Sequence, residues 1–207
     1  MSTTTAAKEK LIIAIDTEFE HESVITGNCL QLAFVAFQEN LEDIDNKDTW
    51  VVDSLSVCFE DQGLEKDPKI MEFWAAFPEI RARIGHEAKP IHEQMAKVQT
   101  WLTRLSATYE ITFMADIANV DFAWLKNLYL RYCMNPSSTS SPYSMPYKCL
   151  CLNGMEEALM ILGFTKKQMK EYCRHPNFRH THYALDDAFE TAHYYLGLKK
   201  LLLSLSS

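Results

Sequence analysis

Apolar residues run without a break through positions 11–15 and again through "CLQLAFVAF", residues 29–37. Both runs read as strands, the second long enough to be central and covered on both faces. After an acidic polar turn, "QENLEDIDNKD" (38–48), the stretch "TWVVDSLSVCFE" alternates. Val51, Asp53, Leu55, Val57 and Phe59 oppose Trp50, Val52, Ser54, Ser56 and Cys58, as in a third strand with one face partly wet. Short connections make these three strands an antiparallel meander. The period then changes to that of helices. "DPKIMEFWAAF" opens on an Asp-Pro start signal and puts Ile70, Phe73, Trp74 and Phe77 on one stripe. Pro78 interrupts it, with "PEIRARI" a further turn. Apolar positions 91, 95, 98, 101, 102 and 105 mark an amphipathic helix. "YEITFMA" (109–115) is a fourth strand, reached by a crossover and so parallel to a neighbour. A helix over "DFAWLKNLYLRY" follows, then a loop of low complexity, "MNPSSTSSPYSMPY" (134–147), expected to be mobile. Two short helices, around 153–162 and 165–173, precede a long last helix from about 184. This order predicts an α/β fold, a mixed β-sheet flanked by helices.

The chain has 207 residues, 47% of them hydrophobic, enough for one core, and no repeat or composition shift marks a second. The expected organisation is a flexible N-terminus at 1–10 and a single domain over 11–204. The opening "MSTTTAAKEK" lacks the apolar stretch of a signal peptide. No run approaches the ~18–20 apolar residues of a membrane helix. An intracellular location, cytoplasmic or nuclear, is the expectation, and the six cysteines are then reduced thiols. Cys149 and Cys151, with Cys173, His175, His180 and His182 downstream, offer zinc donors, but C-x-C is not the usual knuckle and no second knuckle follows. Core thiols and surface histidines are the simpler reading. A net charge of −8 argues against a broad basic surface for long duplexes. It leaves room for small or single-stranded substrates gripped at one phosphate through divalent ions.

The chemistry begins where the first strand runs into Asp16-Thr17-Glu18. Residues two apart on a strand point to one face, roughly 6.6–6.8 Å apart along the chain. Two carboxylates there repel each other and lose solvation, and divalent cations relieve both costs. Hard oxygen donors suit Mg2+ or Mn2+, and a pair of such ions about 3.5–4 Å apart clamps the attacking and leaving oxygens of phosphoryl transfer. The competing reading leaves both acids solvated and idle past the strand end; for an isolated D-x-E it prevails.

Two further stretches change the balance. In "MADIANVDFAWL" a strand gives way to a helix at Asp121, and "HTHYALDDAFETAHYY" puts Asp187 in the first turn of the last helix, five residues after His182. Either aspartate alone is ordinary helix-start chemistry. The ordered set D-x-E, an aspartate opening a helix, then H-x-A-x-x-D resembles the DEDD exonucleases of the ribonuclease H-like class, the group of proofreading exonucleases, oligoribonuclease and ribonuclease T. "IDTEF", "DIANVDFAWL" with Asn119 ahead of the aspartate, and "HYALDDA" carry the likeness, over nearly the whole chain. "IMEFWAAFPEIR" also resembles a phage-type branch of these enzymes.

The resemblance implies a ribonuclease H-like single domain acting as a 3′–5′ exonuclease on single-stranded or short RNA or DNA, with 5′-mononucleotides as product. It implies that Asp16, Glu18, Asp121 and Asp187 hold two divalent cations, Mg2+ or Mn2+. His182, whose ordinary pKa of about 6.5 suits a general base, takes a proton from the attacking water. It makes Thr17, Phe19 and Asn119 candidates for substrate contact. Homodimers occur among such relatives, though no apolar stripe in this sequence proves one. Tyr183 stands four before Asp187 and satisfies the spacing of a tyrosine subgroup; Asp116 competes with Asp121, and Asp186 with Asp187. Phe19 serves core packing or a platform for the terminal sugar or base. Trp74 and Phe73 read as core first, base stacking second. Arg174, Arg179 and His180 are phosphate-contact candidates. Rival readings are a non-catalytic nucleic-acid-binding or scaffold protein on this fold, or a ribonuclease H-type endonuclease.

Overall fold

The computed structural model describes residues 7–134, 143–146, 148–173 and 175–205. Five strands form one mixed sheet in the order β3-β2-β1-β4-β5. They are β1 (Glu9–Phe19), β2 (Cys29–Phe37), β3 (Val51–Cys58), β4 (Tyr109–Ala115) and β5 (Cys149–Cys151). β1, β2 and β3 pair antiparallel, and β4 lies parallel to both β1 and β5. The helices are α1 (Pro68–Ala75), α2 (Pro78–Glu87), α3 (Ile91–Thr108), α4 (Ala118–Tyr132), α5 (Leu152–Ile161), α6 (Lys166–Cys173) and α7 (Ala184–Ser204). The meander, the crossover to a parallel β4 and the mixed sheet are as the hydrophobic pattern predicts.

Several boundaries differ. β1 starts at Glu9, whose Cα is in register with Tyr109, and continues to Phe19, because pairing with β2 runs on beyond the apolar run as far as Phe19↔Cys29. α4 begins three residues before Asp121. "PEIRARI" belongs to a ten-residue helix, α2. β5 was not foreseen: its three residues are too few to show a period. Of the segments expected to be flexible, residues 1–6, 135–142 and 147 lie outside the described residues.

Alternation along β1 and β2 feeds two cores. Leu11, Ile13, Ile15, Leu32, Phe34 and Ala36 pack with α3 and α4 through Val98, Leu102, Trp124 and Leu125. Ile12, Ala14, Ala33, Val35 and Phe37 meet α7 through Ala188, Ala192 and Leu196. All nine residues of β2 are buried, as befits a strand covered on both sides. α1 and α2 form a strap at one end, where Trp74 and Ile84 pack with Leu30, Cys58 and Tyr183. Asp67 caps α1 by accepting from Lys69 N, with Pro68 at the first helical position.

The polar residue inside "CLQLAFVAF" has a definite task. Gln31 is fully buried; its Nε2 donates to Ser56 Oγ at 2.9 Å and its Oε1 accepts from Ala184 N at 3.0 Å. It therefore pins the first turn of α7 to the sheet. Gln31→Met keeps the volume but orphans the Ala184 N–H in a dry site. Urea unfolding should show a loss of about 1–3 kcal/mol, the cost of a buried unpaired polar group; an unchanged midpoint would contradict this role.

Candidate active site

Asp16 and Glu18 lie within β1, opposite Ala33 and Gln31, rather than past its end. Even-numbered positions of β1 face α7, so both carboxylates look toward the start of that helix and Asp187. Carboxylate oxygens of Asp16, Glu18 and Asp187 all come within 4.8 Å of one another. Odd-numbered Thr17 points the other way, toward α4, and its hydroxyl donates to Asp121 Oδ1 at 2.8 Å. Asp121 stands outside the tight trio, yet of the neighbouring charges it acts most strongly on Asp16. The structure thus brings the four acids to one place from three elements: two from β1, one from α4 and one from α7.

Their electrostatics follow from that crowding. Burial, then Asp121, Glu18 and Asp187, hold the Asp16 carboxyl well above the usual range. Burial and the charges of Asp187 and Asp121 push Glu18 up to about 9. Burial raises Asp121 to about 6 against the bond from Thr17, and Asp187 to about 6 against the backbone N–H of Thr181. No lysine or arginine is among the described residues lining the cleft. Crowded carboxylates with no lysine or arginine beside them, presenting hard oxygens, fit magnesium or manganese, and Asp16, Glu18, Asp121 and Asp187 are the residues that would hold them.

Asp187 is held by the loop ahead of its own helix. Oδ1 accepts from Thr181 N at 2.7 Å and Oδ2 from His182 N at 3.0 Å. His182 has φ of 63°, the one non-glycine positive φ among the described residues, a backbone state rare outside glycine. This turn sends its ring into a cleft of about 270 Å³ lined by Asp16, Glu18, Phe19, Phe73, Trp74 and Asp187. Phe73 and Phe77 meet the imidazole at centroid distances of 4.8 and 4.4 Å. Burial, and then the nearby His180, lower the His182 pKa. Tyr183 goes elsewhere: 2% exposed, it donates its hydroxyl to Glu87 Oε2 at 2.5 Å under the Arg83 guanidinium.

The competing aspartates also separate. Asp186 accepts from the Thr181 hydroxyl at 3.0 Å and serves the loop. Asp116 is exposed in the turn between β4 and α4. Phe19 stacks on Trp124 at 5.6 Å, the packing considered for it, and also borders the cleft. Trp74 is buried, its indole N–H donating to Phe19 O at 2.9 Å, and one edge lines the cleft. Asn119 is exposed on the first turn of α4 and does not line the cleft. Arg179 is exposed, its Nε donating to Pro176 O; Arg174 lies outside the described residues. His180 sits on Asp187 itself, its Nδ1 3.3 Å from Oδ2. Cys149 and Cys151 lie on β5, and Cys173 is buried at the end of α6.

The sequence reading missed the support beneath the site. Glu20, fully buried at the end of β1, receives Arg81 at 2.7 Å, Asn28 at 2.9 Å and Lys66 at 3.1 Å, tying the α1–α2 strap to the strand that carries Asp16 and Glu18. Burial acts to raise its pKa, but these bonds outweigh it and the net shift is downward. No sequence signal pairs Glu20 with Arg81, 61 positions away.

The four raised carboxyls fix a pH dependence. Their folded pKa values exceed the unfolded ones of about 4, so the folded chain binds protons more tightly and ∂ΔG/∂pH is negative. In chelator, their contribution should be intact below about pH 4 and be lost as pH rises to about 9, where Glu18 titrates. Millimolar Mg2+ should flatten that slope. Urea unfolding across this range, with and without Mg2+, checks both; a stability that rises with pH in chelator would contradict the cluster.

No family model and no curated protein matches this chain. Solved structures do. Cell-death related nuclease 4 (CRN-4) superposes with a TM-score of 0.60 at 15% identity, over 96% of this chain and 65% of that one, so this chain spans about two thirds of its length. The nuclease domain of 3′hExo, a DEDDh family member bound to rAMP, gives 0.58 at 13% identity over 94% and 92%. S. pombe Pop2p in its Mg2+- and Mn2+-bound form gives 0.56 at 12% identity over 89% and 81%. In its mixed sheet flanked by helices, this chain has the fold of these solved structures.

Proposed function

We propose that this chain is a metal-dependent 3′–5′ exonuclease that hydrolyses single-stranded or short RNA or DNA to 5′-mononucleotides. The observation that carries the reading is the meeting of Asp16, Glu18 and Asp187 with the His182 ring around one cleft, with Asp121 close enough to act on Asp16. The nuclease neighbours on the same fold support it. Two Mg2+ or Mn2+ ions, when bound, supply the charge that clamps the attacking and leaving oxygens of the phosphodiester.

The protein's own residues position and move the proton. The backbone N–H groups of Thr181 and His182 orient Asp187, and the Thr17 hydroxyl orients Asp121. His182, with its pKa lowered, is neutral near pH 7 and accepts the proton of the attacking water on an imidazole nitrogen. Phe73 and Phe77 hold that ring and limit water around it. Tyr183, with its hydroxyl on Glu87, has no part in the proton transfer. A cleft of about 270 Å³ fits the end of a strand better than a duplex. The net charge of −8 agrees with few phosphate contacts beyond the end.

End-labelled RNA and DNA oligomers, incubated with Mg2+, Mn2+ or chelator, test the reading. Stepwise loss of 5′-mononucleotides from the 3′ end is expected, none in chelator, and none from a circular single strand. Cutting of the circle would replace the exonuclease by an endonuclease.

Asp16→Asn and Asp187→Asn should nearly abolish turnover. His182→Ala should lower kcat by about 10²- to 10⁴-fold, the usual contribution of a general base. Tyr183→Phe should retain kcat. Loss of activity in Tyr183→Phe with retention in His182→Ala would reverse the assignment of the base.

A further inference from the structure

Asp187 belongs to two donor sets. One is the oxygen trio with Asp16 and Glu18. In the other, a nitrogen of His180, a nitrogen of His182 and an oxygen of Asp187 also lie within 4.8 Å of one another. The two rings meet edge to face, centroids 4.4 Å apart and planes at 87°. His180 Nδ1 stands 3.3 Å from Asp187 Oδ2 and 3.4 Å from Glu190 Oε2, so a fourth donor is within reach one helical turn along α7. Phe73 and Phe77 wall the His182 ring on its other side, an apolar surround of the kind that strengthens metal–ligand bonds.

These donors differ in kind from the first set. Magnesium prefers six oxygens, several from water, and gains little from imidazole. Zinc accepts imidazole nitrogen and carboxylate oxygen together, in a four-coordinate shell at about 2.0–2.2 Å. Divalent affinity at such a mixed site rises from manganese towards zinc. Drawing the donors in from 4.8 Å asks for side-chain rotation, which the 56% exposed His180 side chain can make. We propose that His180, His182 and Asp187, with Glu190 beside them, form a second cation site overlapping the first, and that Zn2+ bound there shuts the hydrolytic centre. The shutting follows because the zinc ligands include both the base and one of the four acids. That part rests on the function proposed above; the binding itself does not.

The alternative explanation of the contacts is an ordinary ion pair in which a His180 proton bridges Asp187 and Glu190. Equilibrium dialysis of the full chain against Zn2+ in millimolar Mg2+ separates the two, with thermal melting as a second readout. The wild type should retain one zinc that Mg2+ does not displace, and its melting temperature should rise with Zn2+. His180→Ala should weaken zinc binding more than about 10-fold, the loss that even an outer partner of a ligand costs. It should also cancel the rise in melting temperature. Asp16→Asn, which disrupts only the oxygen trio, should bind zinc as the wild type does. Zinc binding unchanged in His180→Ala, or lost in Asp16→Asn, or absent from the wild type, would overturn the site. Oligomer cleavage with Mg2+ and graded Zn2+ then reads the inhibition. A wild type that binds zinc through His180 but cleaves nothing with Mg2+ alone would keep the metal site and refute the nuclease reading. One that cleaves with undiminished rate while zinc-loaded would overturn the inhibition.

Discussion

Two backbone bonds fix Asp187: the N–H groups of Thr181 and His182 hold its two oxygens at 2.7 and 3.0 Å. Everything at the cleft depends on this joint. It orients the one acid shared by both donor sets, and it makes the loop carrying His182 part of the same rigid unit as the first turn of α7. A carboxylate so held accepts two charge-assisted bonds, and these partly offset the burial that raises its pKa to about 6. The joint is anchored in turn by Gln31, whose Oε1 takes the Ala184 N–H and so fixes α7 against β2. Hydrogen bonds therefore tie the most buried strand of the sheet to the start of α7, and the start of α7 to the backbone of the loop that carries His182.

Against that order stands a concentration of like charge that the fold alone does not neutralise. Asp16, Glu18, Asp121 and Asp187 each have a raised pKa, and burial is the first cause for every one. Contrast Glu20, also removed from solvent and two residues from Glu18, whose pKa is lowered because Asn28, Arg81 and Lys66 attend it. β1 thus carries two acids with no lysine or arginine beside them, and the residue just past its end is an acid satisfied by protein cations. Burial raises the pKa of every one of them, Glu20 included, so the downward net shift of Glu20 comes from its partners. What differs is whether the chain supplies a partner. Unpartnered buried acids are costly, and their convergence from separate elements is what an external cation answers.

Much of this was legible in the sequence, for physical reasons that differ by residue. Asp16 and Glu18 could be placed on one face because strand geometry has a period of two. Asp121 and Asp187 could be placed near helix starts because the change of hydrophobic period marks those starts. Gln31 was visible as the lone long polar side chain in "CLQLAFVAF", but nothing local says that its partner is the N–H of residue 184. The Thr17–Asp121 and Glu20–Arg81 bonds span 104 and 61 positions, and pattern carries no information at that range. β5 escaped notice because three residues show no alternation. Its place beside β4 comes from parallel pairing of Phe113 through Ala115, a property of the assembled sheet. Asn119 illustrates the reverse error: proximity in sequence to Asp121 suggested the cleft, yet the first turn of α4 points it to solvent.

His182 and Tyr183 show how one backbone angle decides between neighbours. Spacing admits either ring beside Asp187. In extended backbone, adjacent side chains leave on opposite faces, and the loop must choose which one enters the cleft. The φ of 63° at His182 turns its ring toward Phe73 and Phe77, while its N–H still reaches Asp187. Tyr183 is then carried into the apolar end of the fold beside Trp74 and Ile84, where Glu87 satisfies its hydroxyl. A positive φ on a residue that is neither glycine nor asparagine has an energy cost of the order of 1–3 kcal/mol. That cost persists because three independent contacts lock the turn: the Asp187 bonds, the Gln31 bond to Ala184 and the burial of Tyr183. The strain lies on the residue whose imidazole faces the acids, and it is held by one of those acids, Asp187, together with Gln31 and the buried Tyr183.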